Sequence, residues 1–189
     1  MSTDVQTPTD LEAPVPQQIP AGTWKLDPVH SAASFSVRHM LVGTFRGEFD
    51  QFDVTLSDGR LEGTAEVASL RIKDERLKGH LGSPDFFDAE RHPQISFQSQ
   101  QLSVEDGKVS GQGTLTVKGV TAPVQFTGTI AGPAITLGEV EKIGLDLQAT
   151  VDRDALGLSW NAPLPKGGLV LGRQVTIDVT LELARAEQE

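Results

Sequence analysis

The side chains best suited to chemistry in this chain are its four histidines. The stretch "GTWKLDPVHSAASFSVRH" near the N-terminus contains His30 and His39, and His80 and His92 follow later in the chain. Imidazole can transfer protons or bind a metal, but spacings of nine and twelve residues match no ligand pair on one helix or strand. A composite metal site formed by all four with Asp27 stays open, although packing and hydrogen bonding are the favoured interpretation.

Other catalytic motifs are missing from the sequence. Without cysteine, thiolate metal sites, iron–sulfur clusters and disulfides are excluded. The chain has no phosphate-binding loop, G-x-S-x-G elbow or H-E-x-x-H pair. The carboxylate pairs Asp85/Asp88 and Asp152/Asp154 fall at loop ends, where solvation explains them. The sequence therefore predicts a protein that is not an enzyme, with no catalytic residue, no metal and no cofactor.

Charge and composition narrow the class of partner. The net charge is −10, from 26 acidic and 16 basic residues, and no run of Lys or Arg exceeds two. A nucleic-acid ligand is therefore excluded, because it would need a basic face. Residues 1–21 contain four prolines and lack a secretory signal, which predicts a disordered leader before a domain over 22–185. With no apolar run of about 20 residues for a membrane span, we expect a cytoplasmic protein.

The elements that would position these groups are β-strands, because apolar residues alternate with polar ones from Thr23 onward. The alternation shifts by one residue near Asp50–Gln51, which indicates a β-bulge. One helical excursion, over 74–90, interrupts the strands; Asp74 can cap its helix and Gly82 can end it. Eight strands joined mostly by hairpins predict an all-β fold, an antiparallel sheet closed into an eight-stranded barrel.

The predicted interior of this barrel is rich in small residues. An eight-stranded barrel has room for side chains or for one slender ligand. Small residues on the apolar face would either leave a lumen or permit the sheet to curve, and both interpretations stay open. These residues are Gly47, Gly63, Ala65, Gly111, Gly113, Gly128 and Ala149.

Two arginines and one histidine share the inward phase. Arg153 continues the phase of Val151, and Arg173 precedes Val175 in the last strand. An unpaired arginine in an apolar lumen is costly, so each would pair with a nearby carboxylate or meet the polar head of a ligand. The carboxylates in reach are Asp152, Asp154 and Asp178. His39 follows the inward phase of Phe35 and Val37.

Several sequence blocks, in the same order, resemble the YceI-like family of lipid- or polyisoprenoid-binding proteins. They are "WKLDPVHS" (24–31), "FSVRH" (35–39), "GTFRGEF" (43–49), "HLGSPDFFD" (80–88), "HPQISFQS" (92–99), "GTLTVKGVTAPV" (113–124) and "DRDALG" (152–157). The resemblance covers residues 22–183. Arg153 matches the family's arginine before a Phe-Gly pair, where this chain has Leu156 and Gly157 instead.

The resemblance implies an extended lipocalin-like barrel that binds a long-chain isoprenoid, such as a polyprenyl quinone or polyprenyl phosphate, for transport or storage. We predict that Arg153, Arg173 and His39 meet the ligand's head group. The residues predicted to line the lumen are Phe35, Val37, His39, Phe45, Gly47, Phe49, Phe97, Leu115, Phe126 and Leu147. The twelve-residue strand from Phe45 to Leu56 gives a barrel roughly 30 Å tall, which would hold six to eight isoprene units.

Two other functions remain open at this stage. One is a lipid-modifying enzyme that uses His39 and an inward arginine. The other is a stress-response interaction module whose barrel is filled by its own side chains and binds no ligand. Transient contact with a membrane and formation of a homodimer are also left open.

Overall fold

Strands dominate the computed structural model, which describes residues 13–187. Its strands are β1 (Thr23–Leu26), β2 (Ala32–His39), β3 (Gly43–Phe49), β4 (Phe52–Ser57), β5 (Arg60–Glu66), β6 (Leu70–Arg71), β7 (Gln94–Ser99), β8 (Ser103–Glu105), β9 (Lys108–Val117), β10 (Val120–Ile135), β11 (Glu141–Asp152) and β12 (Leu171–Arg185). One α-helix, α1 (Glu75–Gly82), and two short 3₁₀ segments, Val67–Ser69 and Arg153–Leu156, complete the described part.

The strands form one antiparallel sheet that closes on itself. Its order is β1-β4-β5-β7-β9-β10-β11-β12, and β1 also pairs with β12, where Trp24 faces Arg185 and Leu26 faces Leu183. Strand β2 pairs with the first part of β12, whereas β1 pairs with its last residues. Each of the pairs β1/β2, β3/β4 and β5/β6 occupies one position in the barrel wall. The sheet therefore has eight wall positions, which confirms the predicted eight-stranded antiparallel barrel.

Two local predictions also hold. Strand β3 ends at Phe49 and β4 begins at Phe52, so the two residues between them mark the predicted irregularity. The Asp74 carboxylate caps α1 by accepting hydrogen bonds from the backbone N–H groups of Arg76 and Leu77. Within residues 13–187, no helix is long and apolar enough to cross a membrane.

One end of the barrel is closed by a packed core. Trp24 is fully buried there among Leu56, Ile143 and Leu183. Its indole N–H donates to the carbonyl of Pro20, and the Arg185 guanidinium lies 5.2 Å from the ring centre. We call this the closed end, and the end that carries α1 the mouth end. Trp24 thus helps to close this end of the barrel.

The described part of the predicted leader, residues 13–21, contacts the barrel, and residues 1–12 lie outside the described part of the chain. The carbonyl of Pro14 accepts a hydrogen bond from the N–H of Gly132, and the carbonyl of Pro16 accepts one from Gly107. Ile19 packs against the closed-end core. Proline lacks an N–H but keeps its carbonyl acceptor, so a proline-rich segment can still dock on the turns of a sheet.

Most of the small inward residues allow close packing within the barrel wall and do not border the lumen. A Cβ at Gly47 would lie 2.6 Å from the Phe35 ring, and one at Gly111 would lie 2.5 Å from the Phe126 ring. At Gly128 it would meet the backbone carbonyl of Asp146 on the neighbouring strand. These glycines admit an aromatic ring or a close strand, as curved sheets require.

Candidate functional site

An apolar cavity of about 480 Å³ lies inside the barrel, between the closed-end core and the elements of the mouth end. Its floor is the inner surface of that core, which includes Leu61, Phe126 and Leu181. The small residues that do border it are Gly63, Ala65 and Ala149. Residues of this size keep the centre of the barrel open, so the barrel is not filled by its own side chains.

The structure places nine of the ten predicted lining residues on the cavity wall: Phe35, Val37, His39, Phe45, Phe49, Phe97, Leu115, Phe126 and Leu147. Gly47 does not border the cavity, because the Phe35 ring covers its Cα. These nine positions follow the inward phase of their strands. Their contact with a ligand stays a prediction.

The roof of the cavity was not predicted. Leu77 and Leu81 of α1, the adjacent Phe86 and Phe87, and Trp160 all border the cavity. Phe87 lies 6.2 Å, between ring centres, from both Phe35 and Phe49 of the barrel wall. These residues lie outside the long strands, so alternation could not assign them a direction. The available signals were the apolar pair four residues apart on the helix and the Phe-Phe pair after it.

Arg153 is a buried cation on the cavity wall. It follows β11 directly and is 4% exposed. Its Nε donates to the carbonyl of Gly172 at 2.8 Å, and its Nη1 donates to the carbonyls of Trp160, at 2.9 Å, and Leu158. Burial lowers the pKa of Arg153, and Asp154 and Asp152 oppose that shift. Within residues 13–187, no carboxylate forms an ion pair with it and its Nη2 has no hydrogen-bond acceptor.

Arg173 does not point into the barrel, and its predicted inward phase is wrong. The pairing of β12 with β2 shifts between Leu171 and Val175, so the alternation counted back from Val175 fails at this point. The Arg173 side chain is 68% exposed, and its Nε donates to Asp154 at 2.8 Å. Of the two alternatives for this arginine, pairing with a carboxylate is the one observed.

The four histidines do not meet in one site, so the composite metal site is not formed. His39 and His80 both border the cavity. The His80 ring stands edge-on to Trp160, with 4.8 Å between ring centres, and its Nε2 lies 3.1 Å from Asp85. His30 lies at another place, next to Asp27.

An ion-pair network surrounds His30. In residues 13–187, Asp27, His30 and Glu182 are the one group of three His, Asp or Glu residues with ligand atoms close enough to share a metal. The Lys142 ammonium already donates to both carboxylates, at 2.7 Å to Asp27. Lys142 and His30 hold the pKa of Asp27 well below its usual range. A cation of the protein itself therefore already pairs with both carboxylates, and the network links the residues that follow β1 to β11 and β12.

Comparison with known proteins identifies the family of this barrel. The YceI-like domain profile matches residues 24–183. A Staphylococcus aureus relative, UPF0312 protein SA2479, is 31% identical over 172 residues, which cover 85% of this chain and 96% of the relative.

Solved structures share the fold. Burkholderia cenocepacia BcnA superposes with a TM-score of 0.69 at 22% identity, covering 83% of this chain and 98% of that one. A polyisoprenoid-binding domain from Saccharophagus degradans, implicated in plant cell wall breakdown, superposes with a TM-score of 0.69 at 16% identity. The match covers 86% of this chain and 98% of that one. With its barrel, its profile match and a relative of this similarity, the chain belongs to the YceI-like family.

Proposed function

We propose that this protein binds one long-chain isoprenoid lipid, or a lipid of similar shape, without altering it chemically, and that it transports or stores it. The observation that carries the proposal is the apolar cavity of about 480 Å³ with one buried cation in its wall. Known small-molecule sites have this size and this combination of apolar walls with few polar groups. Membership of the family and the likeness to a domain described as polyisoprenoid-binding support the same ligand class.

The cavity walls favour a chain over a compact polar ligand. Phenylalanine, leucine and valine side chains surround the space on the barrel side and on the roof. Each methylene moved from water into such a site contributes about 0.8 kcal/mol. A chain of some twenty carbons therefore gains enough to offset the entropy lost on binding, and water would fill the same space poorly.

Arg153 supports a ligand with an anionic or carbonyl head. Three backbone carbonyls fix the guanidinium in place, and Nη2 keeps its donors without a protein acceptor in the described residues. A buried cation without a counter-ion is costly, and a phosphate or quinone oxygen would reduce that cost through a charge-assisted hydrogen bond. His39, also on the cavity wall, is a second candidate for the same head group.

The direct test is to identify what the protein carries. We expect native mass spectrometry of the protein, purified from its own host without detergent, to show one bound lipid per chain. Solvent extraction should release a prenyl compound, and adding a polyprenyl quinone to extracted protein should raise its melting temperature. The proposal would be contradicted if extraction yields no lipid and if neither prenyl quinones nor prenyl phosphates raise the melting temperature.

Replacing Arg153 with Gln tests the head-group role. We expect this variant to bind a polyprenyl phosphate or quinone about 10- to 100-fold more weakly, because one charge-assisted hydrogen bond is worth about 1.5–3 kcal/mol. Binding of a plain hydrocarbon of the same length should change much less. Titration of both ligands into one preparation separates this effect from a general loss of folding.

Arg173 provides the matched control. It lies near the start of β12, close to the connection that begins with Arg153, yet it is exposed and paired with Asp154. Arg173→Gln is therefore expected to leave both affinities within about twofold of the wild type. If Arg153→Gln weakens the two ligands equally, Arg153 only supports the fold.

A further inference from the structure

Five exposed apolar side chains surround one part of the mouth end, and we call them the apolar rim: Met40, Leu41, Val42, Leu77 and Leu169. Three of them follow one another in the β2–β3 hairpin, where Met40 is 47%, Leu41 59% and Val42 89% exposed. Single exposed apolar residues need no explanation. A cluster of them at one end of a barrel marks an interaction surface.

The apolar rim lies where the cavity reaches the surface. Met40 and Leu77 are both exposed and both border the cavity. The N–H of Met40 donates to the carbonyl of Val170 at 2.7 Å, and the Leu41 side chain packs against Gly168. The hairpin and the connection that carries Leu169 are therefore fixed to each other, beside the opening.

Charge distinguishes the apolar rim from the rest of the molecule. The three segments that carry it, 38–44, 73–82 and 153–173, contain six Lys or Arg besides the buried Arg153, and three Asp or Glu. The whole chain, by contrast, has 16 Lys or Arg and 26 Asp or Glu. The acidic turn 83–93 adds one Arg and three acidic residues, and the sum stays positive. A protein of net charge −10 thus presents a positive, apolar face at one place.

We propose that the apolar rim docks on an anionic lipid bilayer, with the cavity mouth facing the membrane. In this arrangement the hairpin tip enters the interfacial region and the lysines and arginines around it lie near the lipid phosphates. A prenyl chain then passes between the bilayer and the cavity without crossing water. The inference rests on the proposed lipid-binding function and adds the partner from which the lipid comes.

A lipid surface fits the apolar rim better than a partner protein does. A second copy of this chain would bring the same positive charge against itself. An anionic membrane matches both the apolar and the basic residues. Each Lys or Arg near such a surface adds a roughly equal contribution to the binding free energy. The cavity opens within the same face, so membrane contact and lipid exchange use one surface.

The experiment is co-sedimentation of the full chain with vesicles, using a matched pair of variants. Val42→Glu places a charge in the apolar rim, outside the residues that border the cavity. Leu137→Glu places the same charge on the β10–β11 hairpin at the closed end, where Leu137 is 100% exposed and where Glu139 and Glu141 are the charged neighbours. Lys166→Glu reverses one charge in the connection beside the apolar rim.

We expect the wild type to bind vesicles of phosphatidylglycerol and phosphatidylcholine, and to bind phosphatidylcholine alone much more weakly. Val42→Glu should reduce binding to the anionic vesicles about tenfold or more. Lys166→Glu should reduce it about tenfold at low salt and less at high salt. Leu137→Glu should stay within about twofold of the wild type. Absence of binding by the wild type, or equal losses for the two hairpin variants, overturns the proposal.

Two further measurements distinguish a failure of membrane docking from a failure of the proposed lipid-binding function. Gel filtration that shows a dimer broken by Val42→Glu, without vesicle binding, would make the apolar rim an interface between copies and overturn membrane docking. Binding of a prenyl quinone in vesicle-free buffer tests the proposed function alone, and Val42→Glu should leave it unchanged. A wild type that sediments with vesicles but binds no prenyl compound would refute the lipid-carrier function while leaving the membrane-binding surface in place.

Discussion

Replacing Ala149 with Phe is expected to reduce the affinity for a long prenyl chain at least about a hundredfold while the barrel stays folded. Ala149 borders the cavity halfway along the barrel, between the closed-end core and the mouth-end cluster. A benzyl group there occupies space that one isoprene unit would otherwise fill. Excluding about five buried carbons, at about 0.8 kcal/mol each, accounts for a loss of this size.

The same substitution should make the ligand-free protein slightly more stable, because filling an apolar cavity adds contacts without burying a polar group. Thr150→Phe is the control, since it adds the same ring one residue later on the exposed outer face of β11. Thermal unfolding and titration with a prenyl quinone measure both effects. Undiminished binding by Ala149→Phe would mean that the ligand does not occupy the barrel.

The barrel wall could be predicted from sequence because its information is local. Each strand alternates apolar and polar residues, so the direction of a side chain such as Phe97 or Leu147 follows from its immediate neighbours. The same reasoning fails where the strand is irregular. Arg173 lies between Leu171 and Val175, where the pairing of β12 with β2 shifts, and that shift depends on a partner strand far away in the chain.

The roof could not be predicted for a related reason. Trp160 lies in a connection without a repeating pattern, and its position depends on contacts with His80 and Phe86 from another part of the chain. The glycines carried an ambiguous signal: an inward Gly is compatible with an empty lumen or with a neighbouring ring in its place. At Gly47 and Gly111 a phenylalanine ring from a neighbouring strand covers the glycine. Packing between strands determines this arrangement, so the local sequence does not predict it.

Affinity should rise steeply with prenyl chain length and level off at about four isoprene units, not at the six to eight expected from the full height of the barrel. The closed-end core around Trp24 occupies the lower part of the barrel. Along β2 the cavity extends from Ala33 to His39, and six residue steps of about 3.3 Å, tilted by about 40°, span roughly 15 Å, which approaches the length of four extended isoprene units.

From two units to four, each added unit buries new carbons, and affinity should increase more than about a hundredfold in total. Beyond four units, the added carbons emerge beside the apolar rim and each should change affinity less than about threefold, because carbons left in water contribute nothing. A titration series of prenyl quinones with one head group measures this, and Ala149→Phe should move the plateau to shorter chains. If affinity rises unchanged to eight units, the chain must displace the closed-end core; if it is flat from two units onward, the barrel does not bind the chain along its length.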